Sequence, residues 1–118
     1  MSDANLDKSG MLDVVMIYAT CPASDVAEAI GATLIELGLA ACVNILPGMT
    51  SLYVWEGKLN RDSEVAAVIK TRADLADRAI AEAKALHPYD NPAFVVLPIV
   101  GGSVEFLAWI TAQTTAKA

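Results

Sequence analysis

The chain has 118 residues, 55% of them hydrophobic, with a mean hydropathy of +0.47. That is apolar enough to exclude intrinsic disorder and to fill one domain core without disulfides or a structural metal. Eight Lys and Arg against 14 Asp and Glu give a formal charge of −6; with no basic cluster to meet a phosphate backbone, nucleic-acid binding is not expected.

Residues 1–10 are polar and acidic, with no apolar signal core, and read as a flexible arm ahead of a single domain over 11–118. Leu12–Thr20 is an apolar run rich in Val, Ile and Tyr, the pattern of a strand buried on both faces. Cys21-Pro22 should end it, and Ser24 or Asp25, with Glu28 following, should cap a first helix. Its stripe is Val26, Ile30, Thr33, Leu34 and Leu37, and Gly38 supplies the stop.

Ala40–Trp55 reads as a second strand broken at Pro47-Gly48, where a bulge or bend is expected. At roughly 3.3 Å per residue it would reach about 50 Å, longer than a domain of this size is wide, so it must bend or project. The uncharged run Leu37–Trp55 contains Asn44, Pro47, Gly48, Thr50 and Ser51, so no membrane span is expected there. Glu56-Gly57 makes a tight turn, and the polar stretch Lys58–Ser63 leads into a third strand over Glu64–Thr71. Asp74 should cap a second helix, with Asp77 at its third position, an Asp74–Arg78 pair, and a stripe of Leu75, Ala79, Ala83 and Leu86. His87-Pro88 stops it. Phe94–Val100 is a fourth strand, and its Pro98 suggests an edge or a bulge. After Gly101-Gly102, Ser103 caps a last helix over Val104–Thr114.

The order β-α-β-β-α-β-α is the α+β, ferredoxin-like βαββαβ plan with an extra C-terminal helix and a long hairpin between the second and third strands. Helices are expected on one face of the sheet, the other face being left bare. Leu52 and Val54 point one way on that hairpin, Tyr53 and Trp55 the other, which argues for burial against another subunit. Tyr53 and Trp55 are accordingly interface candidates, with ligand stacking the lesser alternative.

His87 is the sole histidine; it either satisfies the last carbonyls of its helix or serves as a ligand-binding or metal-binding group. Glu64 and Lys70 share a strand face with Ala66 and Val68, facing either solvent or an intersubunit cleft. Cys21 and Cys42 sit in apolar strings without zinc or redox spacing and are expected to be reduced, in a cytoplasmic protein. Without a nucleophile elbow, a phosphate loop or a second histidine, the residues do not point to an enzyme.

Ala40-Ala41-Cys42-Val43-Asn44, Pro47, Ser51, Tyr53, Trp55-Glu56-Gly57-Lys58, Glu64 and Lys70-Thr71, followed by His87-Pro88-Tyr89, Pro92 and Phe106-Leu107-Ala108-Trp109, resemble the CutA divalent-cation tolerance family. The likeness runs from Val14 to Thr114. It implies a homotrimer similar in architecture to PII signalling proteins, strands joined across subunits, and a link to copper and other divalent cations. Of the family's proposed copper ligands only His87 carries over, the other two positions being Ala19 and Leu86. Any copper or other divalent-cation binding should therefore be weak, with no cofactor required. The reading is a non-enzymatic binder or sensor with a cleft around Cys42, Glu64, Lys70, His87, Tyr89 and Trp109, or alternatively a trimeric scaffold for protein partners.

Overall fold

Strand β1 (Val14–Cys21) alternates strictly: Val15, Ile17, Ala19 and Cys21 are buried on one face, while Met16, Tyr18 and Thr20 are half-buried on the other. A computed structural model describes residues 13–116; the expected arm at 1–10 and the extreme ends of the 11–118 domain lie outside the described residues. Helix α1 (Ser24–Glu36) follows, then β2 (Cys42–Trp55), β3 (Lys58–Arg72), a 3₁₀ turn (Ala73–Leu75), α2 (Ala76–Leu86), β4 (Phe94–Pro98) and α3 (Val104–Gln113). The four strands form one antiparallel sheet in the order β2-β3-β1-β4. Strands β1 and β3, at its centre, carry the buried apolar side chains of the sheet, and Pro98 ends β4 at an edge, where a missing N–H is tolerated.

Alanine decides how closely the helices approach. Ala27, Ile30 and Leu34 of α1, with Ala76, Ala79 and Ala83 of α2, pack on Val15, Ile17, Ala19 and Cys21 and on Val65, Ala67 and Ile69 of β3. Helix α1 closes as the spacing predicts: Gly38, at φ 73°, lets Leu39 N–H reach the Leu34 carbonyl (2.8 Å) and its own N–H reach that of Ile35 (3.0 Å).

Several local expectations are corrected. Strand β1 runs through Cys21, so α1 starts earlier than its capping signals imply. Its cap residue is Ala23, with no side-chain cap bond, and Asp25 accepts instead from Val26 N–H within the first turn. Asp74 does not cap α2, because Arg72 grips its carboxylate with two hydrogen bonds of 2.9 and 2.8 Å and a 3₁₀ turn intervenes. Leu86 is 46% exposed rather than part of the buried stripe. Ser103 does cap α3, accepting from Phe106 N–H. That helix, however, lies across the sheet from α1 and α2: Leu107 and Ile110 pack on Val14, whose side chain points away from Val15. The second sheet face is therefore covered by α3 at the Val14 end.

The hairpin turns at Glu56 (φ 52°) and Gly57 (φ 78°), the two-residue geometry whose twist matches its strands. Trp55 consequently pairs directly with Lys58, and the polar stretch Lys58–Ser63 is strand rather than a loop. Pro47 and Gly48 both stand opposite Val65, a one-residue bulge between the Leu46–Ala66 and Met49–Glu64 pairs. The bulge changes which residues of β2 look outward. Cys42, Asn44 and Leu46 share the second face with Lys70, Val68 and Ala66; beyond the bulge Met49, Ser51, Tyr53 and Trp55 share it with Glu64, Asp62, Asn60 and Lys58. Leu52, Val54 and Leu59 take the opposite side, beyond the helices, at 64%, 69% and 73% exposure. The hairpin draws the molecule out to 49 × 33 × 22 Å, with a radius of gyration of 15.3 Å, against about 13.5 Å for a compact chain of this length.

Candidate functional site

The second sheet face carries two polar groups. At one, Glu64 is half-buried, and Tyr89, in the loop after α2, donates its hydroxyl to Glu64 Oε2 at 2.8 Å. Burial first, then the Glu64 hydrogen bond and charge, push the Tyr89 phenol up to about 12. Tyr89 N–H in turn donates to His87 Nδ1 at 3.2 Å, which leaves the ring proton on Nε2, within 2.8 Å of the Thr20 carbonyl. The buried imidazole also sits against the rings of Tyr89 (4.8 Å between centroids) and Phe94 (5.9 Å). The His87 backbone N–H donates to the Lys84 carbonyl of the last turn, but its ring bonds none of the helix's last carbonyls. Both ring nitrogens are committed, and a metal would have to displace one of these bonds. Nearby, Tyr53 donates to Asp62, which raises the Tyr53 phenol, and Tyr18 reaches Met49 Sδ at 3.5 Å.

At the second group, Lys70 stands opposite Cys42 and donates from Nζ to Asn44 Oδ1 at 2.6 Å. Its ammonium lies 5.7 Å from the centre of the Phe106 ring, and Phe106 stacks on Trp109 (5.6 Å, 22° between planes). Arg72, one step further on the same strand face, donates to the Thr114 carbonyl at 2.7 Å and ties the end of α3 to β3. Its pairing with Asp74 holds that carboxyl below its usual range and raises the guanidinium.

The six residues expected around one cleft therefore divide. Glu64, His87 and Tyr89 form one cluster, and Cys42, Lys70 and Trp109 lie at the other, six residues along β3 and so about 20 Å away. Glu64 and Lys70, expected to face either solvent or an intersubunit cleft, each have a hydrogen-bond partner within their own chain. Tyr53 and Trp55, the interface candidates, are exposed at the hairpin end. Cys21 and Cys42 are free thiols on opposite faces of the sheet; burial and then the Glu64 charge raise the Cys21 thiol. Among the described residues, no three His, Cys, Asp or Glu side chains gather in a group able to hold a metal. Sequence reasoning met Asn44 and Phe106 only as parts of the resemblance and assigned neither them nor the Thr20 carbonyl to the cleft. Phe106 had a signal, three residues before Trp109 on a helix and hence on the same face.

Residues 15–113 match the family model described as CutA1 divalent ion tolerance protein. The divalent-cation tolerance protein CutA of Pectobacterium atrosepticum is 42% identical over 103 residues, covering 87% of this chain and 94% of that protein. The chloroplastic protein CutA 1 of Oryza sativa is 41% identical, and the match spans 85% of this chain but 56% of the rice protein. The crystal structure of CutA1 from Oryza sativa superposes with a TM-score of 0.86 at 39% identity, covering 89% of this chain and 96% of that one.

Proposed function

This chain belongs to the CutA divalent-cation tolerance family, and on that premise we propose that it acts as a non-enzymatic, homotrimeric binder or sensor in the response to divalent cations. The observation that carries the reading is the division of the polar face. The hairpin runs on past the Glu64 cluster, away from Lys70, and projects with apolar side chains on both sides. Leu52, Val54 and Leu59 on one side and Trp55 on the other are exposed in the single chain, and burial against another copy would cover them. Packing hairpins around a threefold axis would set the Glu64–Tyr89–His87 cluster of one copy against the sheet of the next and make clefts between copies. The strand order is that of the ferredoxin-like plan, in keeping with the PII-like assembly that the resemblance implies.

No cofactor is required in this reading, and copper or another divalent cation is a weak ligand. The commitment of both His87 nitrogens favours neither a general base nor a strong metal ligand there. Two free thiols on opposite sheet faces suit a reducing, cytoplasmic setting. Sedimentation at micromolar concentration tests the assembly: about three times 12.4 kDa is expected, and a clean monomer would sink the reading. A thermal-shift screen of metals and metabolites tests the binding; stabilisation saturating with concentration is expected.

A further inference from the structure

We propose that the Lys70 group is a binding site for a small organic anion bearing a flat unsaturated ring, an aromatic carboxylate in chemical class; this rests on the small-ligand reading above and names the ligand for half of that cleft. Among the described residues, no acidic side chain pairs with Lys70. The Lys70 ammonium has the neutral Asn44 oxygen and the Phe106 ring beside it. An ammonium has three N–H donors, of which Asn44 takes one. Asn44 uses its oxygen on Lys70, which leaves its amide N–H pair without an acceptor among the described residues. The group is thus a set of donors without an acceptor, in a chain of formal charge −6.

Next to these donors stands a flat wall. Phe106 and Trp109 stack on α3 while remaining 42% and 40% exposed. A carboxylate on Lys70 and Asn44 would bring an attached ring alongside them, where offset stacking adds to the ionic bond. A divalent cation is the wrong occupant here, because the donors would repel it. Cys42, paired across the ladder from Lys70, lies beside the same group and can report its occupancy, while Cys21 is buried.

The test is calorimetry on the full chain with three probes: 4-hydroxybenzoate, cyclohexanecarboxylate (the charge without the ring face) and benzamide (the ring without the charge). Saturable binding of 4-hydroxybenzoate is expected, about tenfold tighter than either of the others. Occupancy should slow alkylation of Cys42 by iodoacetamide. Lys70→Met should weaken binding about tenfold or more, and Lys70→Arg should retain most of it. Absence of saturable binding, equal binding of benzamide, or an unchanged Lys70→Met protein would overturn the proposal. So would a Lys70→Met protein with altered sedimentation and no probe bound by the wild type, which would give Lys70 a carboxylate of a second copy instead. A trimer that ignores all three probes defeats this inference and leaves the assembly standing; a monomer that binds 4-hydroxybenzoate does the reverse.

Discussion

Thr71 has a fully buried side chain whose hydroxyl has no hydrogen-bond partner in the structure. An unmatched buried hydroxyl is unfavourable, and valine has nearly its shape, so Thr71→Val should stabilise the fold by about 1 kcal/mol, read as a higher urea midpoint. Tyr89 gives a pH prediction. Its phenol is raised from 10.0 to about 12, so the proton is held more tightly in the folded state than in the unfolded one. The associated stabilisation is complete below the unfolded value near 10 and is lost as pH rises through about 12. Because burial is the larger cause, Glu64→Gln should return the phenol only part of the way towards 10.0, followed by NMR of ¹³C-labelled tyrosine. At this scale much of the site was hidden in the sequence. The role of His87 depends on a carbonyl 67 residues away, and that of Lys70 on an amide 26 away, in a register that a bulge shifts. No local pattern encodes such pairs.

Among the elements, the hairpin and α1 carry the clearest expectations. Trp55 is 64% exposed in the single chain, so its loss should cost the isolated fold little. If it anchors an interface, Trp55→Ala should weaken assembly by about 2 kcal/mol or more, whereas exposed Lys84→Ala should stay within about 0.5 kcal/mol. Dilution series in the ultracentrifuge separate the two; equal losses would remove Trp55 from the interface. In α1, a Cβ at Gly38 would sit 2.0 Å from the Thr115 carbonyl oxygen at a φ of +73°. Gly38→Ala should cost more than the roughly 1 kcal/mol of left-handed backbone strain alone, measured by urea unfolding, because the Thr115 segment must move. Here the sequence was a good guide: apolar runs marked four strands, glycine and proline marked the breaks, and a long uncharged stretch marked the projecting hairpin. It could not place α3, since an amphipathic helix reveals which of its sides is apolar but not which layer that side will meet.

For the whole molecule, the core of β1, β3, α1 and α2 is held by apolar packing, and no described ligand set spans it. EDTA should therefore leave the circular dichroism and sedimentation unchanged. His87→Ala should lower stability by about 1–3 kcal/mol through the lost bonds to Thr20 and Tyr89 and reduce weak Cu²⁺ binding by calorimetry; unfolding in EDTA, or submicromolar Cu²⁺ binding that survives His87→Ala, would contradict this. The bulge at Pro47-Gly48 bears on how such a molecule tolerates lost residues. It is one residue of slack in the ladder. Deleting Gly48 would close the gap between the Leu46–Ala66 and Met49–Glu64 pairs and return every later side chain to its present face, so the chain should still fold. What it would lose is aim: a straightened arm would carry Tyr53 and Trp55 to a different point in space. Such a deletion would part the chemistry of folding from the geometry of assembly, leaving a sound subunit that misses its neighbours.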